Sequence, residues 1–193
     1  MQANIGVGNM AVLNALIRRF ICTTLLLMSS ALMSVGASQS SPLSGLIKQG
    51  EGTMSVLFWD LYSAEYYLPS KTDSAVALPQ VLKITYLRDI EKDDLVKATL
   101  EQWQHIELNH ANQTNWLQKL TQIWPDISKK DTLLLRIEQD GSSHFYHQSA
   151  NDRQLKKIGS ITDTEFGTSF LAIWLSPKTS RPDLRAQLLG LNL

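Results

Sequence analysis

The side chains in this sequence that can do chemistry at neutral pH are few. It holds one cysteine and four histidines. Cys22 stands inside an apolar run, Phe20 to Met28. His144 and His147 are three apart in a stretch that reads as a strand, so they point to opposite faces and cannot chelate together. His105 and His110 are five apart near a helix end, a poor match to the i, i+4 pair that ligates from one helix face. No carboxylate cluster backs either pair, so no metal is expected. No Gly-x-Ser-x-Gly elbow and no glycine-rich phosphate loop is present. Asp131, Asp140 and Asp152 fall at strand boundaries and turns, where Asp serves the backbone. No cofactor is called for.

Tyr62, Tyr66, Tyr86 and Arg88 are the side chains to test first for ligand binding. A guanidinium and a phenol beside an apolar slot are what an amphipathic ligand with an acidic head requires. Tyr62 and Arg88 are the first such pair. Each also has a plainer reading. Arg88 can pair at the surface with Asp89 or Glu91, which contributes little, and Tyr62 can be a core aromatic with its hydroxyl at the rim. Trp103, Trp116, Trp124 and Trp174 recur with other apolar residues at helical spacing, which suits core packing and is compatible with lining a lipid slot.

The elements that must position these residues read as follows. Leu46 to Leu68 reads as consecutive strands, with Gly50 and Gly52 around Glu51 predicting a bend or bulge between two short ones. Residues 69–74 read as a surface turn. Val81 to Arg88 alternates cleanly: Leu82, Ile84 and Tyr86 on one face, with Arg88 following them, and Lys83 and Thr85 on the other. Helices follow from Asp93 to Leu108 and from Asn115 to Trp124, the second stopped by Pro125. Thr132 to Ile137 and His144 to His147 form a hairpin about Asp140-Gly141, and Gln154 to Ile158 is a further strand. Thr162 to Glu165 has the pattern of a capping box opening a helix from Phe166 to Leu175. A last helix runs from Pro182 to Leu189 and stops at Gly190. About six or seven largely antiparallel strands with four helices make the class α+β.

The first 47 residues contain two charges, Arg18 and Arg19. An apolar run follows them, and Val35-Gly36-Ala37 supplies small residues for cleavage. Residues 1–37 are therefore expected to be a signal peptide, shorter and more polar than a bilayer span, and residues 38–193 a single domain. Export to the periplasm or beyond is the expected localisation, with no membrane span after cleavage. Removing the signal leaves 16 basic and 18 acidic side chains. That balance lacks the basic footprint of nucleic-acid binding or of a polybasic membrane patch.

Three segments together resemble the chalcone isomerase-like family, in particular its exported bacterial branch. They are Gly50 to Met54 with Phe58 to Leu68, Leu82 to Ile90, and Ile158 to Ile161 leading to Glu165 through Pro177. The resemblance implies an open-faced β-sandwich: a large antiparallel sheet with helices packed on one face and an apolar cleft between them. What it implies about activity is not single: some members cyclise a small phenolic substrate without a cofactor, some bind fatty acids and catalyse nothing, and others, including most exported bacterial ones, have no assigned activity. Enzymes of the family carry an arginine in the strand before the aromatic one, and the matching position here falls at Gln49 or Gly50. The position of a catalytic threonine falls near Tyr62, where the fatty-acid-binding members similarly have tyrosine but keep the arginine. This sequence therefore departs from both patterns at the arginine, and the departure argues against cyclisation. The expectation is therefore an exported, non-catalytic binder of an apolar or fatty-acid-like ligand. A cofactor-independent isomerase or lyase, or an envelope protein-interaction module, is the alternative.

Overall fold

In the computed structural model, which describes residues 41–69 and 77–191, the alternating segments pair into one antiparallel meander. The signal read at residues 1–37 and the turn read over residues 70–74 lie outside the described residues. The strands are β1 (Leu46–Val56), β2 (Trp59–Pro69), β3 (Gln80–Tyr86), β4 (Thr132–Ile137), β5 (Ser143–Gln148) and β6 (Lys156–Ile161), each hydrogen-bonded to the next. Register places Tyr62 opposite Tyr86, Ala64 opposite Ile84, and Leu82 opposite Leu135. These residues share one face because side chains alternate along a strand.

Among the described residues four helices cover that face: α1 (Lys92–His105), α2 (Gln113–Ile123), α3 (Thr164–Leu175) and α4 (Pro182–Leu188). Helices α1 and α2 form the long connection between neighbouring strands β3 and β4. A single hydrophobic core joins Ala64, Tyr66, Leu82, Ile84, Leu133 and Leu135 of the sheet to Trp103, Trp116, Phe166 and Phe170 of the helices. Burial of each phenyl ring contributes about 1.5–3 kcal/mol. Trp103 and Trp116 bury fully without losing a hydrogen bond, since their indole nitrogens donate to the Ser169 carbonyl and the Asp163 carboxylate at 2.9 Å each. The architecture is α+β, an antiparallel sheet with its helices on one face. Among the described residues no helix is long and apolar enough to cross a membrane.

Several boundaries differ from those expected. The bulge expected near Gly50 is present, between Lys48 and Gly50, but β1 does not end there: it runs on to Val56, with a second shift between Met54 and Ser55, and the chain reverses at Leu57-Phe58. β3 ends at Tyr86, where the chain bends, so Arg88 does not continue the apolar face. β6 lies two to three residues beyond the predicted strand. The cap of α3 is Asp163 and not Thr162: its Oδ1 accepts from the Glu165 amide at 3.1 Å, and the Glu165 carboxylate turns instead to His110, 3.0 Å away. His144 and His147 are engaged separately, with Glu138 at 3.5 Å and Asp131 at 3.1 Å. The hairpin at Asp140-Gly141 and the helix stop at Gly190 are as read, both glycines having positive φ (83° and 64°).

Candidate functional site: a cavity between the sheet and the helices

The helix layer does not close completely on the sheet. Between β1–β5 below and α1, α3 and α4 above lies a cavity of about 330 Å³. Its floor is apolar, built from inward positions such as Leu82, Ile84, Leu133 and Phe145, and Phe170 and Ile173 of α3 form part of the roof. Its polar lining includes Tyr62 and Tyr86 from the sheet, Asp94, Thr99 and Gln102 from α1, and Thr179, Ser180 and Arg181 at the approach to α4. A mostly apolar slot with a few polar groups is the usual composition of a small-ligand site.

Tyr62 is the hub of the polar lining. Its ring meets Tyr86 edge-on at 6.1 Å, as their cross-strand pairing dictates. Its hydroxyl accepts a hydrogen bond from the Trp174 indole nitrogen at 2.9 Å. Burial pushes the Tyr62 phenol up to about 12, opposed by Trp174 and by the positive charge of Arg181. Burial, and secondarily Tyr62, also pushes Tyr86 up. Both remain phenols at neutral pH. The Tyr62 proton has no acceptor among the described residues, so it is available to a ligand.

Arg181 brings the cation. Its Nε and Nη2 donate to the two carboxylate oxygens of Asp183 at 3.3 and 3.1 Å, and its Nη1 donates to the Ser55 carbonyl. Asp183 foremost, and the tyrosine, hold the guanidinium in its charged form. A guanidinium has five N–H donors, so two are left uncommitted.

The placement of Arg181 follows from how α4 meets β1. A Cβ on Gly50 would stand 2.0 Å from the Gln187 carbonyl oxygen, and one on Gly52 would meet the side chains of Gln187 and Leu184. The two glycines let α4 lie directly on β1, which sets its first residues over the cavity. The same contact excludes a long side chain at position 50. Gln49 donates to the Leu189 carbonyl, just past the end of α4, at 3.0 Å. The guanidinium therefore enters from α4, and not from β1, where the family's arginine would stand.

Of the four residues singled out from sequence, Tyr62 and Tyr86 are together on the wall. Tyr66 shares their face but is fully buried in the core, donating to the Gln80 side chain at 3.0 Å, and does not line the cavity. Arg88 is exposed, with its guanidinium 5.4 Å from the centre of the Trp59 ring. It lines an adjoining surface depression with Asp89, Glu91 and Asp126. Arg181 and Trp174 were not singled out. Trp174 reads from sequence as packing that is also compatible with lining a lipid slot, and it does line the cavity; the local signal at Arg181 is its place before a proline that opens a helix.

Residues 35–190 match the family model described as chalcone isomerase-like. The chain belongs to the chalcone isomerase-like family. Its fold is also that of a fatty-acid binding protein of Arabidopsis thaliana, with a TM-score of 0.58 at 12% identity over 76% of this chain and 87% of that one. Among curated proteins, none matches the sequence. In this chalcone isomerase-like protein the cleft expected of the family is thus present as a cavity, and the arginine among its lining residues is Arg181 at the start of α4.

Proposed function

We propose that this protein binds an apolar, single-chain ligand with an acidic head group, such as a fatty acid, in the cavity between sheet and helices. The observation that carries the reading is the juxtaposition of Tyr62 and Arg181 in a mostly apolar slot. The free phenolic proton and the uncommitted guanidinium donors suit a carboxylate, and charge-assisted bonds of this type are the stronger ones. The volume, about 330 Å³, is at the low end of the roughly 300–1,000 Å³ typical of ligand sites and suits one slender chain. The fold shared with a fatty-acid binding protein supports the same reading. The protein is exported in this proposal, through the signal read at residues 1–37, and works in the periplasm.

Native mass spectrometry of protein purified from the periplasm, followed by extraction, tests both parts. A co-purifying fatty acid and a chain beginning near Ser38 are the expected results. A clean apo mass that takes up no added fatty acid would sink the binding claim.

One observation favours a second reading. Cyclisation of a phenolic substrate without a cofactor needs a preorganised positive charge at the developing anion, and Arg181 supplies one in the cavity wall. Turnover of a chalcone by the wild type, abolished in Arg181→Ala, would establish that reading. Absence of turnover leaves binding alone.

A further inference from the structure

The reversal between β1 and β2 is made of Val56, Leu57, Phe58 and Trp59, exposed to 45%, 88%, 97% and 64%. Leu57 holds a φ of 56°, in the left-handed region where a hairpin ordinarily has glycine, asparagine or aspartate. Folding alone would favour a polar pair here. An apolar pair puts two large side chains into water and accepts an unfavourable backbone conformation as well, which points to a use outside the fold. Beside the tip, the Arg88 guanidinium covers one face of Trp59. Indole rings at head-group depth, with long cationic side chains beside them, are characteristic of groups placed at a bilayer surface.

The tip is continuous with the cavity. Met54 on one side of it and Leu61 and Tyr62 on the other are cavity wall. Ser55 is tied inward by its carbonyl to Arg181 and across the hairpin by its hydroxyl to Asp60, at 2.6 Å. We propose that the Leu57-Phe58 tip is a membrane-contact element: it inserts into the interfacial layer of a bilayer, with Trp59 and Arg88 at head-group level. Four apolar residues on one hairpin present far less than the roughly 800 Å² a side that a stable protein interface buries, whereas shallow insertion needs only such a tip. The near-neutral charge balance makes this contact hydrophobic in origin, hence only weakly sensitive to salt. The contact rests on the tip alone. Its use, passing a poorly water-soluble chain between bilayer and cavity, rests on the binding reading above.

The test is flotation of the protein, expressed from Met1 and purified in the form the host leaves it, with vesicles of phosphatidylcholine alone or mixed with phosphatidylglycerol. Wild type is expected to float with both. Leu57→Ser combined with Phe58→Ser is expected to weaken vesicle binding roughly tenfold or more, since each buried apolar side chain is lost from the contact. Its circular dichroism and its uptake of a soluble short-chain fluorescent fatty acid stay at wild-type level. Wild type that fails to float, or a double variant that floats equally well, overturns the proposal. A wild-type dimer in ultracentrifugation that the double variant dissolves also overturns it, assigning the tip to self-association. Flotation with no fatty-acid uptake upholds the membrane contact and removes the ligand reading.

Discussion

The indole nitrogen of Trp174 donates to the hydroxyl of Tyr62 at 2.9 Å, linking α3 to β2 across the cavity. The bond fixes the direction of the hydroxyl. With its lone pair engaged by the indole, the phenolic proton points elsewhere, and the cavity offers it a ligand acceptor. Replacing Tyr62 by Phe removes the acceptor of Trp174 along with the donor to the ligand. Unfolding free energy is expected to fall by about 1–2 kcal/mol, from leaving one donor unpaired. Fatty-acid affinity falls by roughly tenfold, the worth of one charge-assisted hydrogen bond. Urea denaturation and a fluorescence titration on the same preparation separate the two effects.

The two arginines near the site make a matched comparison. Arg181→Ala is expected to weaken binding of a fatty-acid carboxylate by roughly tenfold or more, and to weaken the corresponding fatty alcohol much less, because the lost partner is a charge. Arg88→Ala is expected to leave the affinity of both within about twofold, since exposed cations contribute little across solvent. Isothermal titration with the acid and the alcohol decides it. A large loss in Arg88→Ala would place the head group in the depression beside the cavity.

Gly50→Ala tests the seating of α4. The added methyl would stand 2.0 Å from the Gln187 carbonyl, so the helix must move. Overpacking against backbone costs about 1–3 kcal/mol, and displacement of α4 carries Arg181 with it. The expected outcome is a lower melting temperature together with weaker fatty-acid binding. Unchanged stability would show that β1 and α4 can slide apart freely.

Asp131 should make the fold acid-sensitive. Burial pushes its carboxyl up, but the amides of Ser128 (3.1 Å) and Ala150 (2.9 Å), with His147 (3.1 Å), outweigh that and hold it below the usual carboxylate range. A carboxyl whose folded pKa is depressed contributes stability above its unfolded value, about 3.9, and loses it as pH falls through the folded value. Urea midpoints of the wild type are expected to fall as pH drops through that acidic window. Asp131→Asn should be less stable at pH 7 and should flatten the acid slope.

How much of this was legible depended on whether the signal was local. Alternation in Leu82, Ile84 and Tyr86 fixed a strand and its inward face, and that face became the cavity floor. Asp140-Gly141 announced its hairpin because a positive φ selects glycine. Leu57-Phe58 announced nothing, since it turns without turn residues, and the glycines at 50 and 52 read as the break instead. They are small for a tertiary reason, the approach of α4. Arg181 was hidden for the same cause. Its nearness to Tyr62 arises only when α4 settles on β1, a contact between distant parts of the chain that no window of sequence displays.

The meander also leaves two outer strands, β1 and β6, each with one row of backbone groups unpaired within the sheet among the described residues. Such rows invite a second molecule to add on as a further strand. On β1 the bulge between Lys48 and Gly50 spoils the regular spacing that an incoming strand would have to match, and Lys48 and Glu51 place charge beside it. On β6, Lys156 and Lys157 are both exposed. The irregularity that first reads as a flaw in β1 thus makes this edge a poorer template for an added strand than a regular one would be.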